Sequence, residues 1–358
     1  MATRQRGATP ITIKDIAKAA GVSHATVSRA LNDHPALSDA TIAKVKRLAA
    51  KMGYVPNASA RGLKTRRSQA LGVIVSHIDD PFWSEVLQGI DEVLRPAGYS
   101  LFVAATQRDE QREKQIVQTM VQRGVEGVIL CAPQFSPEQN RSLQSYGLAT
   151  VVVNNEGAAA ARYLVFNDDR HGIELLTKHL LDQGHRRIAY LGNAVGGRTN
   201  AEREAGFRET MRAAKVKVEP GDVVKAPDST PAGGRQGAVE LLAREDRPTA
   251  IVCYNDNMAI GVYAALHEAG LSVPQDVSVT GFDDIAIAQY LLPPLTTLRQ
   301  LKQDLGGQAA ALMLRILDAR GVAGRLPRPE RHCLQGELVV RASTARLTTD
   351  RGPRRRQR

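Results

Sequence analysis

The residues with the clearest chemistry lie near the N-terminus, in ITIKDIAKAAGVSHATVSRALN (residues 11–32). Ala17, Gly21 and Val27 have the spacing of a helix-turn-helix. Such a unit needs a small residue where two helices cross, then a residue that tolerates positive φ four positions on, then an apolar anchor six further. Ile13, Ile16 and Val22 add apolar faces. The second helix of the unit lies in a DNA major groove, with its first turn at the base edges. Here that helix is expected to start at Ser23, which also caps it, and to expose His24, Ala25 and Arg29. A guanidinium at Arg29 suits the O6/N7 edge of guanine, and the Ala25 methyl suits a thymine methyl. Ser23, Thr26, Ser28 and Asn32 are suited to phosphate oxygens, which set register without reading sequence.

Charge supports a polyanionic partner by its distribution more than by its total. Of the formal +11, residues 1–70 hold thirteen Lys/Arg against three Asp, and residues 351–358 hold five Arg and no acid. The span between is mildly acidic, with thirty basic and thirty-four acidic residues. Positive charge gathered at the ends is what counterion release on phosphate binding requires.

Other motifs lead nowhere catalytic. GNAVGGRT (Gly192–Thr199) mimics a phosphate-binding loop, but Arg198 stands where the loop's lysine belongs, and the turn is read as leading to Arg203. The eight histidines form no H-x-x-x-H or triad-like group, and His185 is read as part of a turn before a strand. Cys131, Cys253 and Cys333 lack metal-ligand spacing, and the first two sit in apolar runs as buried thiols. No Ser or Cys sits on a nucleophile elbow. The sequence is therefore read as a protein with no enzyme activity, no metal and no cofactor. No apolar run approaches twenty residues and MATRQRGATP has no signal-like core, so the expectation is a cytoplasmic protein without membrane contact.

The elements that must carry these residues divide the chain. Residues 1–10 read as a disordered basic lead-in. Three short helical patterns follow over 11–55, the third opening at Ser38 and closing at Gly53, and a fourth, NASARGLKT, follows Pro56 within 56–68. From Ala70 onward β-rich runs (LGVIVS, SLFVAA, GVILCA, ATVVVN, RIAYLG, TAIVCY, VSVTGF) alternate with amphipathic segments that end at glycines. That alternation predicts parallel sheets with helices on both faces, and about ten units fit two α/β lobes over 69–345 better than one sheet. A basic tail, 346–358, follows.

TIKDIAKAAGVSHATVSRALN, continued by LSDATIAKVKRLAAKMGYVPNASARGLKT, resembles the headpiece of the lactose/galactose-repressor family over about 55 residues. The resemblance implies that the segment matching Asn57–Thr65 is a hinge helix that folds on operator DNA. Leu63 would enter the minor groove, with Lys64 beside it and Asn57 and Arg61 also at the DNA. A short helix containing Ser59 and Gly62 is marginal alone, and an apolar wedge beside basic residues kinks the minor groove. LGVIVSHIDDPFWSEVLQGIDEVLRPAGYSL, GVEGVILCAP, HLLDQGHRRIAYLG, RPTAIVCYNDNMAIGVYAAL and GLSVPQDVSVTGFDD are similar to successive blocks of the family's sensor. The implied fold is α + α/β: a helix-turn-helix headpiece with hinge helix, then a two-lobed sensor like a periplasmic binding protein, with ligand between the lobes.

On that resemblance Phe82 and Trp83 supply a ligand-stacking aromatic, Arg203, Asn255 and Asp283 polar contacts, and Asn167 a further one. Asp256 and Asp284, beside them, are read as structural and as caps of the following helices. The family's purine-binding branch has a second aromatic where this chain is matched to Val252, which favours a sugar. The implied protein is a homodimer on a pseudo-palindromic double-stranded operator, a repressor controlled by a small effector. The alternatives are a purine or other non-sugar effector, or action as an activator.

Overall fold

The computed structural model describes residues 11–54, 68–131, 137–154, 161–323 and 326–347. Two compact units divide the chain, Met1–Ser68 and Gln69–Arg358. The lead-in 1–10, the expected hinge helix over 57–65, and all but the first two residues of the tail 346–358 lie outside the described residues.

In the first unit α1 (Ile13–Ala20), α2 (His24–Leu31) and α3 (Asp39–Lys51) form a three-helix core around Ile16, Val27, Ala30 and Val45, all fully buried. The local chemistry explains where each helix starts and stops. At α1 the Asp15 carboxylate accepts both the Thr12 N–H, at 2.8 Å, and the Thr12 hydroxyl, and these bonds hold its carboxyl below the usual range. Gly21, at φ +68°, takes the left-handed turn that ends α1. Ser23 and Ser38 each accept a backbone N–H three residues on, from Thr26 and Thr41. Lys44 Nζ reaches the Ala20 carbonyl at 3.0 Å, tying α3 to the C-terminal end of α1.

The second unit holds two six-stranded sheets. The first contains β1 (Ala70–Val75), β2 (Ser100–Ala105), β3 (Gly127–Cys131), β4 (Ala149–Val153), β5 (Tyr163–Asn167) and β11 (Glu330–Leu334) in the order β11-β5-β4-β3-β1-β2, all parallel. The second contains β6 (Ile188–Asn193), β7 (Val223–Ala226), β8 (Ala250–Cys253), β9 (Ser278–Asp283), β10 (Thr296–Arg299) and β12 (Glu337–Val339) in the order β12-β10-β9-β8-β6-β7, with only β12 antiparallel. Seven of these twelve strands are the β-rich runs seen in the sequence. The five it concealed are β5, two four-residue strands (β7, β10) and two that carry charged residues (β11, β12).

The helices are α4 (Pro81–Leu94), α5 (Glu110–Gln122), α6 (Pro137–Ser145), α7 (Asp169–Asp182), α8 (Gly197–Ala213), α9 (Pro231–Leu242), α10 (Asp256–Glu268) and α11 (Lys302–Ala323). Gly98, Gly124, Gly184 and Gly270, just past α4, α5, α7 and α10, all have positive φ. The chain crosses between lobes after β5, β10 and β11. The return helix α11 packs along α4 with backbones so close that a Cβ on Gly306 would stand 2.0 Å from the Val86 carbonyl oxygen. This contact joins Val86, Ile90, Leu305, Ala309 and Met313 into the core of the first lobe.

Candidate functional sites: an exposed helix face and an interlobe cavity

In the first unit α2 exposes His24, Ala25 and Arg29, the three side chains expected at base edges. The polar residues around them are partly occupied. Ser23 Oγ lies 2.9 Å from Thr26 Oγ1, and Asn32 Nδ2 donates to the Ser28 carbonyl at 2.7 Å. Both contacts stiffen the ends of α2. Asn57, Arg61, Leu63 and Lys64 lie outside the described residues.

Within the second unit a polar cavity of about 50 Å3 opens between the two lobes. Ser76, Asp80, Phe82, Trp83, Arg108 and Asn154 line it from the first lobe, and Thr199, Arg203, Ser229, Tyr254, Asn255, Asp283 and Gln300 from the second side and its crossover. Most of these residues sit at carboxyl ends of parallel strands or on the first turn of the next helix, where α/β clefts bind ligands. Asp80 caps α4 by accepting the Phe82 N–H, although burial pushes its carboxyl upward. That cap holds the first turn of α4, on which Phe82 and Trp83 pack edge to face, 4.9 Å between centroids. Both rings belong to the first lobe's core and both touch the cavity.

Arg203, on α8, is the electrostatic centre. Its Nε and Nη2 lie 2.8 and 2.7 Å from Asp169 Oδ1, and Nη1 donates to the Tyr254 carbonyl. The guanidinium stacks 3.6 Å from the Phe282 ring centroid and 4.6 Å from that of Tyr254. Asp283 Oδ1 stands 4.0 Å from Arg203 and accepts from Gln300 Nε2 at 2.5 Å. Burial raises the Asp283 carboxyl well above its usual range, with Arg203 opposing. Gln300 Oε1 is buried with no partner among the described residues. Asn255 caps α10 through Met258 N at 2.9 Å and reaches the Ser229 carbonyl.

Five of the six residues expected at the effector thus meet at one cavity, and the sixth does not line it. Asn167 is buried at the first crossover, its Nδ2 3.3 Å from Asn154 Oδ1, so it backs a lining residue. Val252 also needs correction. It is fully buried inside β8, in the layer with Phe207 and Met211 of α8, and does not line the cavity. The aromatic that reaches the cavity from this strand's end is Tyr254.

The expected caps differ as well. Asn255 caps α10, while Asp256 accepts from Ile285 N at 2.8 Å and Thr297 Oγ1 at 2.6 Å, and burial pushes its carboxyl up to about 7. Asp284 caps nothing and pairs with Arg299 and Arg341 at 2.8 Å each. Asp80, Asp169, Tyr254 and Gln300 were absent from the sequence-based set. An Asp directly before a Pro-initiated helix was the available cue for Asp80.

The motifs set aside above are a turn whose Thr199 lines the cavity and a packed histidine. GNAVGGRT turns from β6 into α8, and Arg198 pairs with Glu202. His185 is buried between Thr249 Oγ1 and the Ala345 carbonyl, at 2.9 and 3.0 Å. Among the described residues no His/Cys/Asp/Glu group could hold a metal ion, and no helix is long and apolar enough to cross a membrane.

Comparison with known proteins joins the two sites. The family model "Bacterial regulatory proteins, lacI family" matches residues 12–57, and that of a periplasmic binding protein-like domain matches residues 177–344. The chain is 32% identical over 341 residues to the HTH-type transcriptional regulator GalR of Salmonella typhimurium, covering 95% of this chain and 98% of that protein. It is 34% identical over 304 residues to the ribose operon repressor of Escherichia coli (85% and 92%) and 34% over 303 residues to the HTH-type transcriptional repressor PurR of Haemophilus influenzae (85% and 90%). Among solved structures, the lac repressor dimer bound to operator and the anti-inducer ONPF aligns with TM-score 0.83 and 26% identity over 94% of this chain and all of that one. The complex of the transcriptional regulator CelR with cellobiose aligns with TM-score 0.70 and 28% identity over 93% and 99%.

Proposed function

This chain belongs to the lacI family of bacterial regulatory proteins, and from that premise we propose that it is a cytoplasmic homodimeric repressor that releases or grips a pseudo-palindromic operator according to a small effector in its interlobe cavity. It is a DNA-binding transcription regulator rather than an enzyme. The observation that carries the effector reading is the cavity itself. Side chains from both lobes converge on it, so its occupant must sense the angle between them.

Arg29, His24 and Ala25 would read base edges, with Ser23, Thr26, Ser28 and Asn32 near phosphates. Asn57, Arg61, Leu63 and Lys64 would act at the operator centre. Dimerisation has candidate surfaces in the half-exposed Phe102 and Val103 of edge strand β2 and in Tyr290 and Leu292, which are 71% and 89% exposed.

A sugar is the proposed effector. Carboxylates, amides, hydroxyls and guanidinium groups alternate around the cavity beside aromatic planes, which suits vicinal hydroxyls that both donate and accept. Phe82, Trp83, Arg203, Asn255 and Asp283 would touch it, with Asn167 behind Asn154. A purine is the second reading, favoured by the third aromatic, Tyr254. The open space is far below the roughly 300–1,000 Å3 of a site for a drug-sized ligand, so a ring-sized guest requires the lobes to part.

Fluorescence anisotropy tests the proposal: the full chain is titrated against labelled DNA from its own upstream region, with and without sugars, sugar phosphates and purines. A saturable complex tighter than that with random DNA at equal salt, and shifted by one compound, is expected. Equal affinity for both DNAs across the upstream region, unmoved by every compound, would overturn it.

A further inference from the structure

The second crossover carries a residue that neither the sequence nor the cavity lining singles out. Lys302 opens α11, and its side chain is only 3% exposed. Its ammonium donates to the carbonyl oxygens of Asp283 and Asp284, at 2.7 Å each, and lies 3.3 Å from Glu85 Oε1. The carbonyls belong to the end of β9 in the second lobe, and Glu85 belongs to α4 in the first. The ammonium thus donates to two carbonyls of the second lobe and pairs with a carboxylate of the first. A buried ammonium needs such partners, because unpaired it would be expelled or neutralised.

The carbonyls are not ordinary ones. Asp283 and Asp284 have φ of +116° and +53°, conformations that residues with a side chain rarely adopt and that persist only where the surroundings hold them. This turn aims the Asp283 carboxylate into the cavity, where Gln300, two residues before Lys302, also holds it. On the other side Glu85 follows Trp83 by two residues on the helix whose first turn lines the cavity. One ammonium therefore fixes an acidic group on one wall and is anchored to the helix that forms the opposite wall.

We propose that Lys302 is a positioning residue and interlobe latch: through Asp283 and Asp284 it sets the cavity's carboxylate, and through Glu85 it ties that setting to the closed arrangement of the lobes. The proposal rests on the effector reading above only for its functional consequence, because the latch itself can be measured without a ligand.

Trp83 is the chain's single tryptophan and reports on the cavity wall. Acrylamide quenching of the full chain without effector is compared with that of Lys302→Met, Lys302→Arg and Glu85→Gln. Lys302→Met keeps an unbranched stem and removes the ammonium. Glu85→Gln, at a partly exposed side chain, loosens only the first-lobe tie and remains informative if Lys302→Met fails to fold. The expected result is a quenching constant raised about twofold or more in Glu85→Gln and in folded Lys302→Met, with Lys302→Arg nearer wild type. A purely structural role lowers the melting temperature with quenching unchanged, and unchanged quenching in Glu85→Gln would overturn the latch.

Where the panel has yielded an effector, Lys302→Met should weaken it about tenfold, and Glu85→Gln should reduce the effector's shift of operator affinity while changing effector affinity less. If no compound acts, the effector reading fails and the quenching comparison still decides the latch.

Discussion

Replacing Arg203 by Met tests whether the cavity is held together by one buried ion pair. Met fills a similar stem volume and keeps contact with Phe282 and Tyr254, but it leaves Asp169, only 6% exposed, without the guanidinium whose two nitrogens meet its Oδ1. Breaking a buried pair from one side costs roughly 3–5 kcal/mol, because the remaining charge stays desolvated. For a unit of this size a kcal/mol corresponds to roughly 2–3 °C, so the fall in melting temperature should be roughly 6–15 °C. Removing both partners, as Arg203→Met with Asp169→Leu, should recover the part of that loss that comes from Asp169, since its charge is then no longer left buried, while Asp283 keeps its bond from Gln300. Differential scanning fluorimetry of the four proteins at pH 7.5 closes the double-mutant cycle. Raising salt to 1 M should change the difference little, because the pair is shielded from solvent. A single variant within about 2 °C of wild type, or a double variant as unstable as the single, would refute this view of Arg203.

Three further outcomes follow from particular contacts. Burial raises the Asp256 carboxyl to about 7 in the folded chain, so the folded state holds its proton more tightly than the unfolded chain does. The associated stability is full below about pH 4 and is lost as pH rises toward 7, with a slope of up to about 1.4 kcal/mol per pH unit. Denaturant midpoints of Asp256→Asn between pH 4.5 and 7.5 should lack that slope, and parallel curves for the two proteins would contradict it. Gly306→Ala forces a Cβ to 2.0 Å from the Val86 carbonyl oxygen and should destabilise by about 1–3 kcal/mol, whereas at Gly307 the nearest atoms are 3.7 Å away and Ala should be neutral or slightly stabilising. Arg29→Ala should weaken operator binding by about 1–3 kcal/mol and relax one base position, while affinity for random DNA changes far less in anisotropy titrations.

The headpiece was legible because its signals are local. Thr12, Ser23 and Ser38 cap within three residues, and Gly21 marks a turn that a side chain resists. The parallel sheets were legible where strands are long, apolar and buried on both faces, as β1 and β3 are. β11 was not, because ERHCL carries charges and joins the first sheet only after the chain has built most of the second. Phe82, Trp83, Arg203, Asn255 and Asp283 came from family-like motifs, and long-range closure then gave them their partners. Asp169 meets Arg203 across 34 residues and Gln300 meets Asp283 across 17, and no local pattern encodes either meeting. Val252 was misread for a simple geometric reason. Inside β8 its side chain is committed to the layer beneath α8, and the chain must leave the strand at Cys253 before Tyr254 can turn toward the cleft.

The energetic scale of the cleft fits a regulatory role. An effector that binds one lobe arrangement about 100-fold better than the other changes the equilibrium by about 2.7 kcal/mol and no more. A cleft locked by many strong bonds would not respond to that amount, and an open one would have nothing to release. Among the described residues, few contacts span the lobes away from the crossovers. Arg108 donates to the Val195 carbonyl and Thr199 Oγ1 lies 3.5 Å from the Asn154 carbonyl, while at the second crossover Lys302, which opens a helix of the first lobe, donates to the Asp283 and Asp284 carbonyls of the second. Net contributions of such bonds are about 0.5–1.5 kcal/mol each, less where water competes, as at the exposed Arg108 contact. Together they amount to a few kcal/mol, the same scale as the effector's influence. The strong interactions, Arg203 with Asp169 and Asp256 with Thr297 and Ile285, lie within the second lobe. Rigid walls and a weakly tied gap are what allow a small molecule to decide the angle between two lobes.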